Sequence, residues 1–435
     1  MLEQTNCKYG RYMMSFIDND VFKDNNNAIA NIGDNIQGLV IDLIYRQLKI
    51  SEKDIVYIKR DFAQEYDGEE AKIVFCSEFS KDNVDKRLNL SNKINIKAIA
   101  SAVFYDDIKT LSEKYPKIYN ILKKHEPIGC RDEKTTEYLR SEGIKAYLMG
   151  CFTILLPKRD KTPNKKKCFL VDIPVELEKY IPNEIRKYSE YLSHEVKFSK
   201  YPIDDNENKA MDEIAKRILE RYKNEATLIV TGRLHVAVPC LAMGIPVILA
   251  CNNLDFRFGW IEKFIRPYQL GEYEKINWKP NSVDMEEVKT VMLRYFDQVL
   301  HNNSGKNELI WLDNYYRNRN KVKPYKIFRE KIMDIFHGEP DKKFNYVIWG
   351  AGYHCRYAYE IISDIYPNAN LVAVVDKYKI GNFKKRPIIR SENLFNIDFD
   401  HLFITTVPGT EEAISWIEKF KPIINYTLIT SQHKS

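Results

Sequence analysis

The chain lacks a metal-binding spacing. Its eight cysteines (Cys7, Cys76, Cys130, Cys151, Cys168, Cys240, Cys251 and Cys355) form no CxxC pair, and no histidine pair completes a zinc pattern. No metal is therefore expected, and the cysteines, set in apolar stretches, read as reduced core thiols. There is no long hydrophobic run either. The longest, 236–251, is shorter than the ~20 residues of a membrane span and is broken by Pro239, Gly244 and Pro246. Only a short apolar stretch follows Lys8 and Arg11, which is not a secretory leader. Charge of one sign is scarce: 67 Lys+Arg stand against 61 Asp+Glu, a net +6. That balance argues against a nucleic-acid partner and is compatible with anionic substrates or peripheral contact with an anionic membrane surface. The expected location is the cytoplasm, at most at the inner face of the membrane.

What is present is alternation. Strand patterns at 55–58, 72–76 and 96–104 follow or precede helix patterns at 36–48 and 106–122. Residues 127–130, 133–142 and 145–148 read as strand, helix and strand, with Asp132 as helix cap and Gly143 as its stop. Residues 1–27 are polar and give no clear first strand. A lysine-rich stretch at 158–167, flanked by Pro157 and containing Pro163, reads as a linker. Alternation resumes with a strand at 168–172, a helix at 176–192, a strand at 195–199, a helix at 208–223 and a strand at 226–230. An amphipathic helix is expected at 283–300 and a charged helical bridge at 308–337. The pattern then restarts at 344–349. The fold class is α/β: two Rossmann-like halves, 1–157 and 168–337, and a third small Rossmann-like domain at 340–435.

Chemistry concentrates where strands turn into helices. Thr231-Gly232-Arg233-Leu234-His235 follows an apolar strand and opens an apolar helix that Gly244 ends. Arg233 offers a planar fork of donors to an anion, and His235 can hand over a proton. The plain alternative is a satisfied histidine at a helix start beside a structural ion pair. Arg131-Asp132 sits at a second such turn, and helix N-termini favour anions; equally, Asp132 is an N-cap and Arg131 a surface charge. A third turn is Asn31-Ile32-Gly33-Asp34-Asn35, where Gly33 suits a tight turn and Asp34 a cap. Loops of this type meet at the carboxyl edge of a parallel sheet. The stretch from Asp255 to Trp260, including Arg257, follows another strand and can wall the same cleft. Gly350-Ala351-Gly352 is a partial nucleotide fingerprint: Cys355 stands where the third glycine belongs, and Asp376 is the acid ~20 positions on.

Four ordered blocks resemble the polysaccharide pyruvyl transferase family: Asn31-Ile32-Gly33-Asp34-Asn35-Ile36-Gln37, Gly129-Cys130-Arg131-Asp132, Met149-Gly150-Cys151-Phe152-Thr153, and Thr231-Gly232-Arg233-Leu234-His235 running to Gly244-Ile245-Pro246-Val247. The resemblance implies a GT-B-like pair of domains, with the first on the acceptor side. It implies transfer of pyruvate from phosphoenolpyruvate onto a sugar, free or lipid-linked, as a cyclic ketal of a surface polysaccharide. It implies a phosphoenolpyruvate site at Arg233, Leu234, His235 and Arg131, with no cofactor required. Many members carry Asp-Pro where this chain has Cys151-Phe152, and the last hundred residues lie outside the shared pattern.

The expected mechanism follows from the donor's chemistry. Arg233, Arg131 and helix N-termini neutralise the anion, supported by Asp132, Asn31, Gly33, Gly232, Leu234 and Arg257. His235 protonates the methylene carbon, and Asp34 or Asp132 accepts a hydroxyl proton. Two rivals remain on the sequence: a GT-B glycosyltransferase using a nucleotide sugar, to which Gly350, Gly352 and Asp376 lend support, and a non-catalytic glycan-binding protein.

Overall fold

The computed structural model describes residues 8–13, 28–76, 90–101, 111–198, 204–252, 254, 256–319, 332–333, 335, 339, 341–406, 409–420 and 424–428. It is mixed α/β with parallel sheets, and no described helix is long and apolar enough to cross a membrane. The chain divides into two compact units. One comprises 1–252, 256–268 and 276–322; the other comprises 253–255, 269–275 and 323–435.

The first unit opens with strand β1 (Lys8–Met13), which lies inside a four-stranded parallel sheet rather than at its edge. Its neighbours are β3 (Ile55–Lys59) and β4 (Ala71–Cys76), and β5 (Ile94–Ser101) follows in the order β3-β1-β4-β5. The polar residues of β1 hid it from the apolar pattern. Gly10 is what lets it fit, since a Cβ there would stand 2.3 Å from Ile73 Cγ2. A parallel pair, β6 (Ile128–Cys130) and β7 (Ala146–Leu148), lies beside β5. Helix α1 (Ile32–Gln47) buries Ile36, Val40 and Ile44 at helical spacing. Helix α2 (Pro116–Lys124) precedes β6, helix α3 (Glu133–Ser141) packs on β6 and β7, and Gly143 takes the left-handed φ of 76° that ends α3.

The second sheet of this unit has the order β13-β12-β11-β8-β9. Strands β8 (Cys168–Val171), β11 (Leu228–Thr231) and β12 (Val247–Cys251) are wholly buried apolar runs, as a sheet covered on both faces requires. Strand β9 (Ser189–Leu192) flanks β8, and β13 (Pro267–Gln269) closes the far edge. The chain runs from β8 to β9 on one side and then to β11 on the other. The crevice outside β8 and β11 is therefore the switch point where ligands bind in such sheets. Helix α4 (Asp205–Glu225) starts with a capping box, Asp204 accepting from Asn206 N and Glu207 N while Glu207 takes the amide of Asp204. Helix α5 (Leu234–Ala242) is apolar almost all round and buried accordingly. Helices α6 (Glu286–Leu300) and α7 (Lys306–Asn318) complete the unit.

Several sequence expectations change here. Residues 176–192 are not one helix. Pro182 interrupts them into a 3-10 turn (Val175–Tyr180), a single turn of helix (Asn183–Arg186) and strand β9. The next strand, β10 (Glu195–Phe198), pairs antiparallel with β2 (Ala28–Asn31), with Glu195 opposite Asn31. The expected helix at 106–122 is described from 111 on, as Leu111–Lys114 and α2 with Tyr115 between them, and the bridge at 308–337 only in part, as α7, Arg319 and residues 332, 333 and 335; the rest of both lies outside the described residues. The cap of α1 is Asn31, whose Oδ1 accepts from Gly33 N at 3.0 Å, and not Asp34.

The second unit is a six-stranded sheet in the order β16-β17-β15-β14-β18-β19, built from Gly381–Phe383, Arg386–Ile389, Asn370–Val375, Asn345–Trp349, His401–Ile404 and Asn425–Leu428. Helices α8 (Tyr353–Ile365) and α9 (Thr410–Phe420) contribute to its cores.

Inside the first unit, the two sheets are joined by a buried charge cluster. Arg11, 1% exposed, donates from Nη2 to Asp212 of α4 at 2.6 Å and pairs with Asp42 of α1 at 3.3 Å. Asn35 Nδ2 reaches the other oxygen of Asp212 at 2.7 Å. Breaking a buried pair by deleting one partner is costly, on the order of 3 kcal/mol. Asp212→Ala should lower stability by that order in a urea titration followed by circular dichroism; a loss below about 0.5 kcal/mol, the size of an ordinary surface change, would remove the strut from the account.

Candidate active site

Three helix starts converge. Helix α1 comes from the first half and follows β2, α3 follows β6, and α5 follows β11. The contact between α1 and α5 is immediate: a Cβ on Gly33 would stand 2.9 Å from His235 Cβ and 3.2 Å from His235 Nδ1. Gly33 is thus a glycine of close approach, not of a tight turn. His194 fixes the same junction from behind. Its carbonyl accepts the first amide of α1, from Ile32, at 2.9 Å, and its own amide donates to Asp172 Oδ2 at 2.9 Å. Its buried ring meets Tyr222 OH through Nε2 at 3.0 Å.

The cations at this junction differ in how they are compensated. Arg233 is paired: its Nε lies 2.5 Å from Asp172 and its Nη2 is hydrogen-bonded to Glu195. The expected free anion clamp is therefore already occupied by carboxylates. Arg60, at the carboxyl end of β3, is 4% exposed and pairs with Asp34 at 3.3 Å, while Gln37 donates to the other oxygen of Asp34 at 3.2 Å. Arg131 contrasts with both. It is 4% exposed, and its Nε and Nη2 are sealed from solvent without a hydrogen-bond partner. A buried guanidinium left in that state is costly unless something else completes it.

His235 senses this field. Desolvation, then Arg131, and to a lesser degree Arg257 and His194, push its imidazole down to about 3; Asp34 pushes the other way. Its Nε2 is sealed and has no hydrogen-bond partner. The ring is therefore neutral at pH 7 until negative charge enters beside it. His194 is similarly driven down to about 4, by desolvation first.

The remaining candidates sort cleanly. Asp132 is an N-cap: Oδ1 accepts Thr135 N at 2.8 Å and Oδ2 accepts Thr135 Oγ1 at 2.9 Å. Burial nevertheless raises its carboxyl to about 6. Gly232 lies where a Cβ would meet Ala250 O at 3.1 Å, and Leu234 is buried in the first turn of α5. Arg257, on the Phe256–Phe258 turn, is half-buried and acts on His235. Cys151 is buried with Sγ 3.1 Å from Thr153 Oγ1. Gly350, Gly352 and Asp376 belong to the second unit. There Asp376, the acid of the partial fingerprint, accepts Ala351 N at 2.8 Å and the amides of Tyr378 and Lys379 at 2.9 Å, which holds its own loop together. Asp172, His194, Glu195 and Arg60 were missed. Asp172 and Arg60 each follow directly on a strand, the very position that singled out Arg131 and Arg233, whereas His194 and Glu195 carry no such signal.

The sequence profile of the polysaccharide pyruvyl transferase family matches residues 31–253, just over half of the 435-residue chain. The chain belongs to the polysaccharide pyruvyl transferase family. The match begins at the cap of α1, ends just after β12 and takes in all three helix starts. Membership supports a pyruvyltransferase enzyme and implies a sugar acceptor. No curated protein matches the chain. A solved structure, that of an FpvC mutant from Pseudomonas aeruginosa, is similar at 11% identity over 61% of this chain and 89% of that one, with a TM-score of 0.20, and carries no argument at that score. No group of three or more His, Cys, Asp or Glu side chains suited to a metal ion occurs among the described residues.

Gly33→Ala tests the junction. The added methyl must push α5 away from α1, at about 1–3 kcal/mol of stability. Transferase activity should fall at least tenfold while the fold persists by circular dichroism; full activity in that variant would show that the close approach is not part of the site.

Proposed function

We propose that this pyruvyltransferase takes phosphoenolpyruvate as donor and transfers its pyruvyl group to two hydroxyls of a sugar, free or lipid-linked, of a surface polysaccharide, releasing phosphate. The observation that carries the reading is Arg131: a buried cation with two unpartnered donors, beside a neutral histidine, at three helix starts. Phosphoenolpyruvate brings about three negative charges in a small volume, which is what such a place lacks. In this reading the halves 1–157 and 168–337 form a GT-B-like pair, 340–435 is a separate module, and no cofactor takes part. A cytoplasmic enzyme, met by its acceptor at the inner face of the membrane, fits the same reading.

The residues then divide the work. Arg131 and the amides of α3 and α5 hold the anion. Arg233 joins them only by exchanging Asp172 or Glu195 for it. The bound charge raises the His235 pKa, so the imidazole takes up a proton and delivers it to the methylene carbon. The neighbouring carbon gains oxocarbenium character and a sugar hydroxyl adds there, its proton passing to Asp34. Asp34 hands that proton to the bridging oxygen as the C–O bond breaks, so the leaving group departs as hydrogen phosphate and Asp34 is again ionised. A second hydroxyl closes the ketal, and its proton passes to His235, which gives it to solvent when the products leave.

Two measurements test this. Arg131→Met should weaken phosphoenolpyruvate binding by roughly a hundredfold in calorimetry, from two lost charge-assisted bonds. The melting temperature of the empty protein should hold or rise, because an uncompensated buried charge is gone. Binding unchanged in that variant would overturn the donor assignment, with a nucleotide sugar as the comparison ligand.

The second measurement follows from sign. At pH 7 the empty site holds a neutral imidazole with a pKa of about 3, and an anion raises that value. Donor binding should therefore take up protons, seen as a dependence of the calorimetric heat on buffer ionisation, and His235→Asn should abolish that uptake. Equal heats for wild type in all buffers would remove His235 as the acid.

A further inference from the structure

The lysine-rich segment after Pro157 does more than link. It walls two adjoining cavities of about 330 and 430 Å³ that share Pro163 and Asn224. They sit at the amino ends of β8 and β9 and at the last turn of α4, the opposite end of the second sheet from Asp172 and Arg233. With four strand residues between Lys167 and Asp172, that separation is about 16 Å.

The charge here is unbalanced. Lys167 is paired with Glu190 at 2.5 Å, and Glu225 is taken by Arg221 at 3.0 Å. Lys161, Lys165, Lys166, Lys187 and Lys223 also line the cavities and make no ion pair among the described residues. Asp160 is the lining carboxylate left to oppose them. Lys166 Nζ lies 6.0 Å from the centroid of Tyr188, so an aromatic ring stands among the amines.

We propose that this basic cleft binds acidic glycan: a sugar chain already carrying ketal carboxylates, held away from the reaction centre. The inference rests on the pyruvyl-transfer reading, because that reaction places a carboxylate on each sugar it modifies. Three features select this ligand. The surface is concave and continuous over two cavities, which suits a chain more than a flat bilayer. Lysines are point charges on flexible stems, which tolerate carboxylates at varied positions better than a rigid fork does. Tyr188 offers a ring for a sugar face.

The test uses the full chain and the variant Lys161→Gln, Lys165→Gln, Lys166→Gln, Lys223→Gln. Each is titrated with a pyruvate-ketal polysaccharide, with the same polysaccharide after mild-acid removal of its ketals, and with vesicles of anionic phospholipid. Wild type should bind the ketal-bearing polymer, weaken as salt rises, and lose the interaction when the ketals are removed. The variant should bind at least about tenfold more weakly, as four screened surface charges allow. Phosphate release from phosphoenolpyruvate with a short acceptor should be the same in both proteins; that assay alone judges the transfer reading. Equal binding of polymer with and without ketals, equal binding by variant and wild type, or a preference for the vesicles would each overturn the proposal.

Discussion

The site depends on one close approach, that of Gly33 to His235. The two residues belong to helices from different sheets, and only the missing side chain at 33 lets them touch. Several interactions serve that approach. Asn31 caps α1, Ile32 hands its amide to the carbonyl of His194, and the β2–β10 ribbon sets Asn31 opposite Glu195. The Arg11 cluster ties α1 to α4 one to three turns further along. Local helix chemistry and tertiary packing thus point to the same geometry, which is how a fold holds a site rigidly.

Charge compensation then sorts the cations by role. Burial is tolerable for Arg11, with two carboxylates, and for Arg60, with Asp34. Arg233 is half-exposed and doubly paired, so its charge is largely answered within the protein. Arg131 stands at the start of α3, and the adjacent Asp132 directs both oxygens to Thr135 as the helix cap. Burial first and the charge of Arg131 second keep the His235 ring unprotonated.

Much of this was legible in the sequence, for reasons that can be named. Buried parallel strands such as 168–171 and 247–251 are unbroken apolar runs, and Gly143 and Gly244 stop their helices with left-handed φ values of 76° and 71°. The turns at Arg131 and Arg233 stood out because a strand and a helix flank each. What was hidden depended on partners far away in sequence. Strand β1 is polar because Arg11 faces acids of α1 and α4 and Tyr9 packs on Tyr45, so no apolar pattern marks it. Asp34 looked like a cap because it opens an apolar helix, yet its carboxylate goes to Arg60, 26 residues on. The identity of the unpaired cation was invisible for the same reason: nothing near Arg233 in sequence foretells Asp172 or Glu195.

The chain contains its own comparison for judging which strand-to-helix turn takes an anion from outside. The turn at Gly350 is built like the one at Arg131, with a strand before it and a helix after it. At Gly350 the next strand ends in Asp376, whose carboxylate accepts Ala351 N and two further amides; that loop carries its anion as part of the fold, and hydrogen bonding keeps the carboxyl below its usual range despite burial. At Arg131, Nε and Nη2 have no hydrogen-bond partner among the described residues. Both turns satisfy the same electrostatic demand of a helix N-terminus. One satisfies it internally and gains a fixed loop. In the proposed reaction the other is satisfied by a small, highly charged substrate, and binding of that substrate is then linked to protonation of His235.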